Sequence, residues 1–87
     1  MKIYKYPLEL AHNYEVQMPV GATILDVQVQ DNVVCLWAEV DPDAPTRIRE
    51  FIVLGTGQEI AEDIGERTYI GTVHQPPFVW HVFEVKP

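Results

Sequence analysis

Two arginines, a threonine between glycines and two tryptophans are the residues of this chain whose types and spacing could do chemistry. Arg47 and Arg49 stand two apart in a stretch that alternates like a strand, so both side chains project to one side. Two guanidinium groups so placed can clamp a phosphate or a carboxylate, because each presents a planar fork of donors. Gly55-Thr56-Gly57 follows the same stretch. Glycines there can turn backbone N–H groups toward an anion. Arg67 adds a third guanidinium near a turn, and it would strengthen the case if the fold brought all three within reach of that glycine loop. Trp37 and Trp80 offer faces on which a nucleobase could stack, each stack contributing roughly 1–3 kcal/mol in nucleic-acid sites. These residues form a candidate site for a small anionic ligand such as a nucleotide. Each also has a plainer use. The glycines suit a turn that needs positive φ, the arginines could pair with nearby acids in solvent, and tryptophan in a small β domain commonly packs in the core.

Other chemistries find little support. The chain contains no serine, which removes a serine triad. The single cysteine, Cys35, alternates with apolar residues and reads as a small buried hydrophobe. His12, His74 and His81 are far apart, and no spacing matches a zinc site. His81 shares a side with Val79 and Phe83 and reads as a satisfied, partly buried histidine. Asp41-x-Asp43 lies between prolines in a loop unlike a calcium loop. Gly55-Thr56-Gly57 lacks the third glycine of a dinucleotide fingerprint and the Lys-Ser/Thr ending of a phosphate loop. No enzyme, metal or cofactor is therefore expected. Glu59, Glu62, Asp63 and Glu66 would form an acidic stripe if helical, either a solvated face or a surface for a basic protein.

The elements that must position these groups are mostly strands. Residues 2–6 read as a first strand, with Tyr4 and Tyr6 on one face and Ile3 on the other. Leu8 to Tyr14 fits a turn or a short helical piece, and Val16 to Met18 a short strand. Ala22 to Gln30 alternates, with Leu25, Val27 and Val29 on one face. Asp31-Asn32 tolerates positive φ and predicts a tight hairpin into Val33 to Val40. That returning strand is apolar on both faces and should be central. Further strands are predicted over Thr46 to Leu54, Tyr69 to Val73 and Phe78 to Val85. Gln58 to Ile64 could make one or two helical turns, with Gly65 as C-cap. The expectation is a small antiparallel β-sandwich or open barrel of about six strands with at most one short helix.

The 87 residues suffice for a single domain, residues 1–87. Thirteen acids against six bases give a formal charge of −7, which favours solubility and disfavours binding to duplex nucleic acid or anionic lipid. One cysteine allows no intrachain disulfide and suits a reducing cytoplasm. No apolar run approaches the roughly 20 residues that span a bilayer, and no signal peptide is visible.

Several segments together carry a resemblance. They are Met1-Lys2-Ile3-Tyr4-Lys5-Tyr6-Pro7-Leu8, Thr23 to Gln30 running into Val34-Cys35-Leu36-Trp37-Ala38, Asp41-Pro42-Asp43-Ala44-Pro45, Gly55-Thr56-Gly57, Tyr69-Ile70-Gly71-Thr72, and Val79 to Val85. Over most of its length the chain resembles a widespread family of short proteins carried by tailed bacteriophages and prophages. No activity comes with the resemblance and no residue inherits a role. It implies a phage accessory protein made in the cytoplasm of an infected bacterium. The expected function is binding: sequestration of a small anionic ligand by a homo-oligomer, blunting host defence. The alternative is a module that blocks a host protein or serves as a minor virion or assembly component.

Overall fold

A computed structural model describes residues 1–8 and 13–87. Residues 9–12, including His12, lie outside the described residues, and so does most of the Leu8 to Tyr14 stretch expected as a turn or helical piece. The described chain forms seven strands: β1 (Lys2–Leu8), β2 (Asn13–Pro19), β3 (Thr23–Gln30), β4 (Val33–Val40), β5 (Thr46–Gly55), β6 (Arg67–Gln75) and β7 (Phe78–Val85). They make two antiparallel sheets, ordered β1-β4-β3 and β2-β5-β7-β6. The mostly β sandwich expected from the sequence is what forms, with β4 central in its sheet. β2 is longer than Val16 to Met18 because its whole length pairs with β5, from Asn13↔Ile52 to Pro19↔Thr46.

The core lies between the sheets. Val34, Leu36, Ala38 and Val40 of β4 face Phe51 and Val53 of β5 and Val82 of β7, all buried. The period of two in each strand sets these faces. The β3–β4 hairpin closes through Asp31 and Asn32 at φ 51° and 62°, with Gln30 paired to Val33. Those angles suit the two-residue turn whose twist matches its strands.

Two expectations fail for identifiable reasons. β3 carries a bulge between Ile24 and Asp26. Leu25 therefore leaves the alternation and stands half-exposed, and Ile24 takes the inward place beside Val27 and Val29. Second, Gln58 to Ile64 is not helical beyond a 3-10 turn at Glu62–Ile64. β5 and β6 both run antiparallel to β7, so they are parallel, and residues 56–66 must cross β7 from one end of the sheet to the other. Gly55 pairs with Trp80 and Arg67 with Val85, a separation of about 17 Å along β7, plus two strand spacings. A helix rising about 1.5 Å per residue would use most of those residues on the lengthwise run alone. The expected acidic stripe of Glu59, Glu62, Asp63 and Glu66 does not form. The inner face is filled by the core, so the crossover runs over the outer face, where Ile52 and Leu54 are buried.

A second bulge, between Tyr69 and Gly71 of β6, lies where β6 packs against β3 of the other sheet. A Cβ on Gly71 would come within 2.8 Å of Val27 Cγ1, so only glycine lets the sheets approach this closely. Among the described residues no helix is long and apolar enough to cross a membrane.

Candidate functional site

The two ends of the sandwich divide the sequence-predicted residues between them. Arg47 and Arg49 do share a face, and it is the inner one, continuing the row of Phe51 and Val53. A guanidinium near the core needs a partner. Arg49 has one. Its Nε donates to Glu84 Oε2 at 2.6 Å and its Nη2 to Glu84 Oε1 at 2.7 Å, while Nη1 donates to the carbonyl of Ala22. The side chains are 11% and 17% exposed. This fork-to-carboxylate pair ties β5 to β7 and to the turn before β3. The guanidinium of Arg49 is thus committed to holding that end together. Arg47 is exposed. It lines a hollow with Arg49 and Lys86 on one sign of charge and Glu15, Glu50 and Glu84 on the other.

Gly55, Thr56 and Gly57 lie at the opposite end of β5, about 27 Å of extended chain from Arg47. Arg67 is at the Arg49 end of β6, on the outer face, with its guanidinium 5.6 Å from the centre of the Phe83 ring. The arginines and the glycine turn therefore do not meet within one chain. Trp37 lies on the outer face of its own sheet, half-buried between Lys5 and Asp26 on the neighbouring strands. On the same face Cys35 is buried, one rung away. Lys5 Nζ reaches diagonally across that rung to donate to Gln30 Oε1 at 2.8 Å.

Trp80 and Gly55 do come together. They are cross-strand partners, and a Cβ on Gly55 would touch the indole at 3.4 Å. Trp80 faces inward and packs against the core. It forms one wall of a slot of about 280 Å³ between the sheets, with Tyr14 of β2, Val53 of β5, and Leu8 and Val34 of the opposite sheet. Asn32 and Gln75 form the rim. The rim is prebuilt. Trp80 Nε1 donates to Gln75 Oε1 at 2.9 Å, and Gln75 Nε2 donates to the Asn32 carbonyl at 2.7 Å and to Asn32 Oδ1 at 3.1 Å. One glutamine thus fixes the indole and joins the hairpin turns of the two sheets. Phe78 stacks on Trp80 with ring centres 5.1 Å apart. Among the described residues the slot is lined by no charged side chain. It suits a flat, uncharged ring, which stacking and apolar contact would hold.

The sequence pointed to Trp80 alone among these residues. Tyr14, Gln75 and Asn32 went unnoticed because they belong to β2 and to two turns far apart in the chain. Gln75 beside Pro76-Pro77 and Asn32 in the hairpin were legible as turn residues, but nothing in their spacing says that the turns touch.

A neutral, tryptophan-walled slot at one end of a two-sheet β-sandwich defines the class: a small, two-sheet antiparallel β module. The whole chain, residues 1–87, matches the family described as "Domain of unknown function (DUF7352)", and it belongs to that family. No curated protein and no solved structure matches it.

Proposed function

We propose that this protein is a non-catalytic binding module that captures a small molecule through a flat ring held against Trp80. The slot carries the reading: an indole fixed in place by Gln75 before any ligand arrives, in a space at the small end of the ligand-pocket range. Prior ordering of the site reduces the cost of binding. A nucleobase is the ring that best joins this geometry to the phage-like resemblance, since capture of a nucleotide signal would blunt a host response. The phosphates of such a ligand would extend outside the neutral slot. Arg47 is exposed and could meet them only from a second copy of the chain, so this reading ties nucleotide capture to a homo-oligomer.

Isothermal titration of nucleosides, their nucleotides and cyclic dinucleotides tests it. Saturable heat is expected, abolished by Val34→Phe, which extends an inward-facing side chain into the slot. If nucleotides bind tighter than nucleosides, Arg47→Ala should remove the difference. No heat from any ring ligand would refute the proposal and leave blockade of a host protein as the stronger reading.

A further inference from the structure

On the outer face of the four-stranded sheet, four side chains form one hydrogen-bonded row. Thr56 Oγ1 lies 2.7 Å from His81 Nε2, His81 Nδ1 lies 3.0 Å from Thr72 Oγ1, and Thr72 Oγ1 lies 2.5 Å from the Tyr69 hydroxyl. The β6–β7 register puts Thr72 opposite His81 and Tyr69 opposite Phe83, which places Thr72, His81 and Tyr69 on one face. Thr56 is held at the start of the crossover by its N–H, which donates to the Val79 carbonyl at 3.2 Å. This row is separate from the Trp80 slot, which lies on the inner face.

We infer that Thr56 is a nucleophilic hydroxyl served by His81 as general base, open to activated acyl donors such as aryl esters and thioesters. A nucleophile within hydrogen-bond reach of a base, itself oriented by a third group, is the arrangement that activates a weak hydroxyl. Each member of the row can pass its bond on. With Nε2 accepting from Thr56, Nδ1–H donates to Thr72, Thr72 donates to Tyr69, and the exposed Tyr69 hydroxyl donates to water. The approach to Thr56 is open. It is exposed, and a side chain added at the next residue, Gly57, would meet nothing within 4 Å. In the step, Thr56 Oγ bonds to the acyl carbon as its proton moves to His81 Nε2. The bond from that carbon to the leaving oxygen or sulfur then breaks, and the leaving group departs with the proton from Nε2. The product is an O-acyl threonine, with no oxidant or cofactor required.

The sequence supplies a clean test. Trypsin releases residues 50–67, in which Thr56 is the only hydroxyl residue and Lys, His, Cys and Tyr are absent. The folded protein is treated with p-nitrophenyl acetate, and the mass of that fragment is followed. Acetylation of fragment 50–67 is expected. His81→Gln should slow it by about 10²-fold, the usual contribution of a general base. Thr72→Val, which leaves His81 in place, should slow it less, and Thr56→Ser should retain it. Circular dichroism confirms that each variant folds. If fragment 50–67 stays unmodified while the lysines and N-terminus take up acetyl groups, the inference fails. It also fails if folded His81→Gln reacts at the unaltered rate.

Discussion

Arg49 and Arg47 differ in neighbours more than in chemistry, and their substitutions should differ accordingly. Arg49→Ala leaves the Glu84 carboxylate partly buried without its counter-charge, and removing one partner of such a pair costs about 3 kcal/mol or somewhat more. Arg47→Ala removes an exposed side chain and should change stability by no more than about 0.5 kcal/mol. Urea unfolding of both variants checks the contrast. Equal effects would mean that the Arg49–Glu84 pair does not hold its end of the sandwich. The alternation groups Arg47 and Arg49 with Phe51 and Val53, but Ile48, Ile52 and Leu54 make the opposite side just as apolar, so it does not say which side is the core. What could not be read was Glu84, 35 positions later, as the carboxylate that makes an inward guanidinium tolerable.

Tyr6 makes a second point at this scale. Burial raises its phenol above the ordinary tyrosine pKa, the nearby Tyr4 adds to the rise, and the Arg49 charge partly opposes it. A raised folded-state pKa means that the unfolded chain loses its proton first as pH climbs. Tyr6 therefore lends stability that is complete below the ordinary tyrosine pKa of about 10 and is lost as pH rises through the folded value. Stability should decline in that alkaline window in the unaltered protein and decline less in Tyr6→Phe. Denaturant melts across the window report it, and parallel curves would exclude Tyr6 as the cause.

At the scale of elements, the strands were legible and their partners were not. Period-two patterning fixed β4 through both its apolar faces, and Asp31-Asn32 fixed its hairpin with β3. The bulge at Leu25 escaped because an extra residue in one strand leaves a sequence that still alternates on paper. The crossover escaped because Ile60, Ala61 and Ile64 have helical spacing, while the distance they must cover depends on which strand lies between β5 and β6. The seam between β3 and β6 gives the sharpest test of the packing. Gly71→Ala pushes a methyl group against Val27, whose branched side chain cannot swing away cheaply. Thermal melts should show a loss of about 1–3 kcal/mol, the range for overpacking. Adding Val27→Ala should recover part of it, less the cost of the methyl groups removed. A Gly71→Ala protein as stable as the original would mean that the sheets do not meet there as described.

For the whole molecule, the arrangement separates tasks by position. One end is closed by the Arg49–Glu84 pair, the opposite end holds the Trp80 slot, and the outer face at the slot end carries the Thr56–His81 row. The eight residues singled out from sequence are spread over three of these regions and the outer face of the smaller sheet. Residue types announced what each could do; only the topology shows which of them can act on one molecule. Aromatic and amide groups converge, and the arginines do not join them.

The account stands or falls on the slot. Trp37→Phe, at a half-buried position on the outer face, leaves Trp80 as the only tryptophan. Its fluorescence should respond saturably to adenosine and to adenine nucleotides, and Val34→Phe in the same background should erase the response. Emission that stays unchanged across nucleosides, nucleotides and free bases, in a protein shown to be folded, would contradict the claim that Trp80 receives a ring.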